Sequence, residues 1–327
     1  MFADAIESIL KDQCTPAVVR AIEGGASAAL LAAAIEDAGF HALLTPEADG
    51  GAGAGWPEFH SVVTLCGAYA VPLPLPQTMA SRLLATADEL PTGLVTFAPA
   101  LIREAGGALR ADLVPAGRLA SHVIGAAGDT LFLLATSQAQ QEASGVHGSL
   151  AASFRWNNAG LPLKSDVLAD QFHSLAALLH AALLAGAMKR VFDMTVTYAN
   201  QRVQFGKSIS KFQAIQQQLS VMAEHVVAAS IATEAAFHGV GAALPRTGAC
   251  AVAKARTSEA AQLVASIAQG VHGAIGVTKE YDLQLYTRRL HEWRIAHGSE
   301  AHWNRRLGGL CVDSGELLVA DFARQLF

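Results

Sequence analysis

The residues between 198 and 222 form the stretch of this sequence best suited to bind a negatively charged ligand. The segment reads YANQRVQFGKSISKFQAIQQQLSVM. Its pattern predicts a helix that ends near Arg202, a turn at Gly206, and a second helix that begins near Ser210. Ser210 and Gln213 fit a capping box. A guanidinium just before a helix N-terminus, where backbone N–H groups are free, favours an anion.

A purely structural interpretation of the same segment stays open. Apolar residues recur at helical spacing in the second helix and give it one apolar face. These residues are Phe212, Ile215, Leu219 and Met222. In this interpretation Arg202, Lys207 and Lys211 form a solvated basic patch beside an ordinary corner between two helices, because isolated motif matches are hypotheses.

A second segment with chemical potential is GVHGAIGVTKEYDLQLYTRR, residues 270–289. Three glycines within seven residues allow a tight turn and a close approach of the backbone to a ligand. The alternative is a simple turn between two helices. Glu280 is expected to pair with Arg288 or Arg289 as a structural acid.

The elements that position these segments divide the chain into three parts. Residues 1–90 have the pattern of helices, residues 91–163 that of short strands, and residues 164–327 that of long helices. The predicted strands are 94–97, 108–114, 122–125, 130–136 and 148–156, and they favour a small antiparallel unit. The predicted fold is therefore mainly α with a small β-domain, and the serial long helices suggest a C-terminal four-helix bundle.

Composition excludes several classes of function. Among 327 residues, 52% are hydrophobic and 16% are charged, and the net charge is −5 with dispersed basic residues. Nucleic acid is therefore not an expected partner. No apolar run reaches the roughly 18–20 residues of a membrane span, so the surplus apolar surface is expected between helices or subunits.

The cysteines and the N-terminus indicate a reducing compartment. The four cysteines lie far apart without a C-x-x-C pair, so we expect buried thiols rather than a metal site or disulfides. The N-terminal residues lack a basic region typical of a signal or transit peptide. The cytoplasm is the expected location.

The central segment resembles the signature of flavin-dependent acyl-CoA dehydrogenases, through R-x-Q-F-G-K-x-I-x-x-F-Q-A-I-Q. Residues 39–53 resemble a glycine-rich passage in the family's N-terminal domain, and Gly273, Gly276 and Glu280 match its glycine loop. The resemblance covers nearly the whole chain. It implies an N-terminal helical domain, a reduced middle β-domain and a C-terminal four-helix bundle.

The resemblance also implies FAD as the cofactor and assigns residues to it. Arg202 would hold the pyrophosphate across a subunit boundary, and Gln204 and Phe205 would touch the cofactor. Phe212 and Gln213 would meet its adenylate side. Gly273 lies in the loop that meets the flavin of a neighbouring subunit, and Ser299 takes the place of a threonine in the C-terminal turn.

The chain departs from the family at two flavin contacts. A T-E-P-x-x-G-S-D-like segment, which covers the flavin, has no counterpart in residues 93–104. The glutamine that leads the family's glycine loop falls on Gly270, so its hydrogen bond is lost or moved to Gln269.

The family's catalytic glutamate is also missing. The C-terminal turn aligns with Ala296–Gly298 and Ser299, so His297 takes the position of that base. The glutamate used in other branches falls near Ala176. An imidazole titrates near neutral pH and could act as a base. The alternative is a histidine at the surface or at a helix end.

The implied activity is FAD-dependent α,β-dehydrogenation of an acyl-CoA thioester, with an electron-transfer flavoprotein as acceptor. The chain resembles a short bacterial branch of the family, which includes subunits of heteromeric, steroid-type enzymes. A homo- or hetero-oligomer, dimer or tetramer, is expected. Three interpretations stay open: a subunit of a heteromeric enzyme, a self-sufficient enzyme that uses His297, and a non-catalytic protein that binds CoA esters or scaffolds a partner.

Overall fold

Five short helices form the N-terminal part of the chain. The structure is a computed structural model and describes residues 1–85, 89–90, 92–158, 160–238, 244–316 and 318–327. The helices are α1 (Phe2–Gln13), α2 (Pro16–Glu23), α3 (Ala29–Asp37), α4 (Trp56–Ala68) and α5 (Leu75–Ser81). Proline in the first turn of α2 needs no N–H donor, and the Thr15 hydroxyl accepts from the Val18 N–H at 3.4 Å. After α3, Gly39 reverses the chain with a φ of 79°.

The middle of the chain forms two four-stranded sheets. Its strands are β1 (Val95–Phe97), β2 (Ile102–Arg103), β3 (Leu109–Val114), β4 (His122–Ala127), β5 (Thr130–Ala135), β6 (Ala139–Ala143), β7 (Ala152–Trp156) and β8 (Leu161–Pro162). The strand orders are β1-β4-β5-β8 and β2-β3-β7-β6. The five strands expected from sequence are present, and β2, β6 and β8 were not predicted. Strand β6 has the polar sequence AQQEA and is largely exposed at a sheet edge, so it carries no hydrophobic signal.

One strand pair corrects the expectation of an antiparallel unit. Strands β1 and β4 are parallel, with Val95 opposite His122 and Phe97 opposite Ile124. Parallel neighbours need a crossover connection. Strands β2 and β3 supply that connection while they build the other sheet, and a pattern of successive short strands does not reveal this arrangement.

The C-terminal part consists of long helices and a small hairpin. Its elements are α6 (Ala169–Gln201), β9 (Val203–Gln204), β10 (Lys207–Ser208), α7 (Gln213–Phe237), α8 (Thr247–His272), α9 (Leu283–Ile295), α10 (Glu300–Asp313) and α11 (Val319–Leu326). Helices α6, α7, α8 and α9 pack together, as the predicted bundle requires. The sequence pattern predicts that α7 ends near residue 240, which lies outside the described residues. The sequence pattern predicts a last helix over Glu300–Leu307, but α10 continues to Asp313, and α11 was not predicted.

Helix α6 is the centre of the molecule. The expectation that no stretch reaches the length of a membrane span is not met, because two helical stretches in the described part of the chain, Ala169–Gln201 and Thr247–Val277, are long and apolar enough by length and composition. In α6, 83% of the apolar window is buried inside the protein, where α4, α7, α8 and α9 pack around it. Burial on all sides explains why its apolar residues do not form a single stripe.

Helices α4 and α6 cross at very close range. A Cβ atom added at Gly186 would lie 1.9 Å from the Thr64 carbonyl oxygen, and one added at Gly67 would lie 2.1 Å from the Leu183 carbonyl oxygen. The two helix backbones therefore touch, and neither glycine position has room for a side chain. This crossing fixes the N-terminal helices against the bundle.

The three-part division at residues 90 and 163 stays a prediction, although the strands β1–β8 all lie between α5 and α6. The thiols of Cys14, Cys66 and Cys250 are buried as expected, whereas Cys311 is only partly buried.

Candidate functional site

A two-residue hairpin presents the predicted anion-binding segment to solvent. Strands β9 and β10 pair antiparallel, with Gln204 opposite Lys207. The turn residues Phe205 and Gly206 have φ values of 51° and 79°. Positive φ at both positions is what the favoured I′ hairpin turn requires. The predicted turn at Gly206 is therefore confirmed, and Phe205 stands at its tip with 91% of its surface exposed.

The helix after the hairpin begins later than the sequence predicts. Helix α7 begins at Gln213, and Phe212 takes the N-cap position. The capping box is wrong, because Ser210 lies in a 3₁₀ turn and its hydroxyl bonds to that of Ser208 at 2.9 Å. In the part of the chain that the structure describes, no side chain caps α7. Its first N–H groups therefore remain available to an acceptor.

The five residues assigned to the cofactor on this segment lie together at one edge. The Phe205 and Phe212 rings pack edge to face, with 6.1 Å between their centres, and the Lys207 ammonium lies 4.4 Å from the Phe212 ring centre. Arg202 ends α6, and its carbonyl accepts from the Ile209 N–H at 2.8 Å. Gln204 sits on β9, and Gln213 opens α7. Two aromatic rings, several cations and an uncapped helix N-terminus thus share a single exposed surface.

The glycine loop is held by the side chain of Gln269. Gly273 begins a 3₁₀ turn, Gly273–Val277, with a φ of 66° and a ψ of −146°. The Gln269 Nε2 donates to the Gly276 carbonyl at 3.4 Å and to the Thr287 hydroxyl at 3.1 Å. Its buried Oε1 has no hydrogen-bond partner among the described residues. Gln269 therefore braces the loop and keeps one acceptor free.

The expected ion pair of Glu280 is wrong. Arg288 and Arg289 both bind Glu23 at the end of α2, with N–O distances of 2.6 and 2.5 Å. Glu280 lies in the exposed turn before α9. The two arginines lie on α9 and reach α2 instead, so the local sequence spacing suggested the wrong partner.

His297 lies in the tight turn between α9 and α10. Its φ is 55° and its exposed fraction is 2%, so it is not a surface histidine. Its ring centre lies 4.8 Å from that of His180 and 6.3 Å from that of His173, both on α6. Neither ring nitrogen has a hydrogen-bond partner among the described residues. Ser299 occupies the N-cap of α10, but its side chain makes no cap bond.

Burial makes the His297 imidazole a weak base. Desolvation lowers the pKa of His297 well below its ordinary value, and the nearby His180, His173 and Lys254 lower it further. Burial also lowers the pKa of His180 to about 3. The fully buried Lys254 donates to the Trp293 and Arg294 carbonyls at 2.7 and 2.8 Å, and burial lowers its pKa to about 7. The turn therefore encloses neutral imidazole rings.

Because two histidines are buried as neutral rings, we expect the protein to lose stability in acid. Folding lowers the pKa values of His180 and His297, so below about pH 6.5 the unfolded chain binds more protons and acid favours unfolding. Between pH 7 and pH 5 we expect His180 alone to contribute a loss of about 2 kcal/mol. In His180→Leu, the decrease in the free energy of unfolding between pH 7 and pH 5 should be about 2 kcal/mol smaller than in the wild type. Denaturant titrations at both pH values measure this difference. An equal pH dependence in the variant and the wild type would contradict this assignment.

Two neighbouring cavities lie between the β-region and α9, and the inner one also reaches α6. The inner cavity has a volume of about 50 Å³ and is lined partly by Val71, Gln77 and His180. The apolar cavity has a volume of about 390 Å³ and is lined partly by Leu113, Val146 and Ala296. The second volume lies in the range of small-molecule pockets, about 300–1,000 Å³.

Glu292 connects the two cavities and was missed from sequence. Glu292, Trp293 and Pro115 line both of them. The Glu292 carboxylate accepts a hydrogen bond of 2.7 Å from the Ser149 hydroxyl. The available signal was helical spacing, because Glu292 lies on the helix predicted over Asp282–Arg294, one turn before Ala296.

The predicted site residues therefore fall into separate groups. The hairpin residues form one exposed edge, Gly273 lies on the glycine loop, and His297 and Ser299 lie in the turn after α9. No residue of the hairpin lines either of the two cavities.

Comparisons with known proteins agree on one family. The family described as "Acyl-CoA dehydrogenase, C-terminal domain" matches residues 168–307. Acyl-CoA dehydrogenase IpdE2 of Mycolicibacterium smegmatis is 30% identical over 307 residues, which cover 89% of this chain and 91% of that protein.

Solved structures show the same fold at lower identity. The ChsE4-ChsE5 complex from Mycobacterium tuberculosis contains a chain with a TM-score of 0.85 and 21% identity, covering 95% of this chain and 96% of that chain. A variant of the Tcur3481-Tcur3483 steroid ACAD gives a TM-score of 0.84 and 22% identity, covering 96% of this chain and 97% of that chain.

Proposed function

Because the chain belongs to the acyl-CoA dehydrogenase family, whose members are FAD flavoproteins, we propose that it catalyses FAD-dependent α,β-dehydrogenation of an acyl-CoA thioester as one subunit of an oligomer. The observation that carries the proposal is the exposed edge built by Arg202, the hairpin and the N-terminus of α7. The sequence motif supports the proposal, and so does the Phe205 ring, which is almost fully exposed at this edge.

The donors at this edge fit the pyrophosphate and aromatic parts of FAD. Arg202 supplies a bidentate guanidinium, and Lys207 and Lys211 supply ammonium groups. The uncapped N-terminus of α7 adds backbone N–H donors, and helix N-termini favour phosphate. Phe205 and Phe212 offer apolar ring surface. The residues present therefore fit the cofactor, and we propose that Arg202, Gln204, Phe205, Phe212 and Gln213 hold it.

The proposed reaction divides the work between the cofactor and the protein. FAD, when bound, supplies the acceptor for the hydride that leaves the β-carbon of the substrate. The chain must then bind the acyl group, exclude water and remove the α-proton. The apolar cavity offers the surface for the acyl group. Gly273 and Ser299 are proposed to complete the flavin surface from the glycine loop and the C-terminal turn.

Assembly with a second chain is part of the proposal. The hairpin points to solvent and lines neither cavity, so its ligand and the acyl cavity meet only if another subunit contributes one of them. A heteromeric assembly is supported by the fold shared with a chain of the ChsE4-ChsE5 complex and with a steroid ACAD. We propose a bulky, steroid-derived acyl group as the substrate class and an electron-transfer flavoprotein as the acceptor.

Substitution of Arg202 tests the cofactor assignment. Arg202→Ala removes a charge-assisted donor worth about 1.5–3 kcal/mol, so the dissociation constant for FAD should rise by roughly 10- to 100-fold. Titration of the apoprotein with FAD, followed by flavin fluorescence, measures this constant. Arg305→Ala is the matched control, because Arg305 is an exposed arginine on α10, and it should bind FAD as the wild type does. Wild-type affinity in Arg202→Ala would refute the assignment.

A non-catalytic relative is the second candidate function, favoured by the enclosed His297 in the position of the family's base. This candidate would bind CoA esters or scaffold a partner subunit. A flavin spectrum and reduction of an electron acceptor by acyl-CoA, alone or with a co-expressed partner subunit, would exclude it. A colourless, inactive protein under both conditions would exclude the dehydrogenase instead.

A further inference from the structure

We propose that Glu292 is the base that removes the α-proton of the acyl thioester. The inference rests on the proposed dehydrogenase function and deepens it, because it gives this chain its own catalytic carboxylate. Glu292 stands on α9, one turn before the Ala296–Ser299 turn, and its residue lines both the inner and the apolar cavity.

The other carboxylates at these cavities are neutralised by arginines. Glu23 lines the inner cavity and is bound by both Arg288 and Arg289. Asp112 lines the apolar cavity and pairs with Arg110 at 3.3 Å. Glu292 forms no ion pair with any residue that the structure describes, and its one side-chain hydrogen bond comes from the neutral Ser149 hydroxyl. Glu292 is therefore the carboxylate at these cavities whose charge no arginine among the described residues compensates.

The alternative base is less accessible. The His297 ring is almost fully buried between His173 and His180, and neither cavity is lined by His297. A general base must come within hydrogen-bond reach of the proton that it removes. Glu292 lines both the inner and the apolar cavity, whereas the ring of His297 faces the interior of the helical bundle.

The surroundings of Glu292 suit a positioned acyl group. Leu113, Val146 and Ala296 give the adjoining cavity an apolar lining. Lys254 donates to the carbonyls of Trp293 and Arg294 and thereby fixes the last turn of α9, directly after Glu292. A rigid last turn holds the carboxylate at a constant position relative to the cavity.

The proposed step is a balanced proton transfer. The Cα–H bond breaks, an O–H bond forms on the Glu292 carboxylate, and the electron pair stays on the substrate as the thioester enolate. Return of the proton from the carboxyl group restores the thioester, so no oxidant is needed. In D₂O the carboxyl proton exchanges with solvent, and the α-position of the substrate gains deuterium.

A structural role for Glu292 must be separated from this one. The Ser149 hydrogen bond joins the loop after β6 to α9, so Glu292 also acts as a latch between the strands and the helices. Glu292→Gln keeps an oxygen that accepts from Ser149 but cannot take up a proton. Ser149→Ala removes the latch and keeps the carboxylate. The two variants therefore separate basicity from packing.

The experiment measures deuterium incorporation at Cα. The purified wild-type protein, loaded with FAD and also tested with its co-expressed partner subunit, is incubated in D₂O with butyryl-CoA, octanoyl-CoA or cyclohexanecarboxyl-CoA, without an electron acceptor. Mass spectrometry follows the exchange. Glu292→Gln should lower the exchange rate by roughly 100-fold or more. Ser149→Ala should lower it by less than about 10-fold, since one neutral hydrogen bond is lost. Glu259→Gln, an exposed glutamate on α8, is the matched control and should exchange as the wild type does.

Each outcome decides the proposal. Loss of exchange in Glu292→Gln with retained FAD binding and an unchanged thermal midpoint supports it. Wild-type exchange in Glu292→Gln, or equal losses in Glu292→Gln and Ser149→Ala, overturns the base assignment and leaves the dehydrogenase function standing. Loss of exchange in His297→Gln together with retention in Glu292→Gln would transfer the role to His297. A wild-type protein that exchanges no proton and binds no FAD overturns both the base assignment and the proposed function.

Discussion

Gly186→Ala is expected to lower the free energy of unfolding by about 3 kcal/mol, at the upper end of the usual cost of overpacking. The added Cβ would lie 1.9 Å from the Thr64 carbonyl oxygen, which is backbone and cannot rotate away as a side chain would. Helices α4 and α6 would have to separate, and the apolar contacts along their crossing would weaken. Urea or guanidinium titration measures the loss.

Gly308→Ala is the matched control for this substitution. Gly308 lies in α10, and nothing lies within 4 Å of an added Cβ atom at that position. Alanine should therefore raise the stability by about 0.5–1 kcal/mol through helix propensity. A loss of less than about 1 kcal/mol in Gly186→Ala would be inconsistent with backbone contact at the crossing, because it would lie below the usual range of overpacking.

Glu23→Ala is expected to cost about 3–5 kcal/mol, the usual result of leaving a buried charge without its partner. Glu23 and Arg289 are 8% and 7% exposed at their side chains, and Arg288 binds the other carboxylate oxygen. Removal of this carboxylate leaves two arginines facing each other at the inner cavity. Thermal and denaturant unfolding of the variant measure the loss.

Asp193→Ala provides the control for an ion pair in solvent. Asp193 pairs with Lys189 at 2.6 Å on α6, and the two side chains are 47% and 60% exposed. An exposed helical pair contributes about 0.3–0.5 kcal/mol, so this variant should unfold nearly as the wild type does. Equal costs for Glu23→Ala and Asp193→Ala would contradict the buried role of Glu23.

Local features of the fold follow from the sequence to a large extent. The Gly206 turn, the end of α6 near Arg202 and the stop of α3 at Gly39 depend on residues within one or two turns of each other. The apolar face of α7 follows from helical spacing, and Met222 and Val226 are buried on it. Such features need no knowledge of distant parts of the chain.

Features that depend on distant contacts do not follow from the sequence in the same way. The capping box failed because Ser208 is a competing partner for Ser210. Arg288 and Arg289, the expected partners of Glu280, bind Glu23 instead, which lies more than 250 residues earlier in the chain. The parallel pairing of β1 with β4 depends on a crossover through the second sheet.

The residues of the candidate site differ in the same way in how well the sequence predicts their positions. The hairpin residues form one edge as their spacing predicts, because they are neighbours in sequence. The inward direction of His297 depends on the positive φ of its turn and on the helices packed around it. Helical spacing predicts on which face of α9 Glu292 lies. It does not predict that Glu292 lines two cavities, because this depends on the strands that approach α9.

Helix α6 connects the N-terminal and C-terminal helical parts, which the sequence pattern assigns to different domains. A single hydrophobic core extends from Ile6 on α1 through Phe59 on α4 and Leu184 on α6 to Leu290 on α9. The N-terminal helices therefore cover one side of the helix on which the C-terminal bundle is built. A fragment that begins at residue 164 would leave this apolar side in water, so we expect the two helical parts to unfold together.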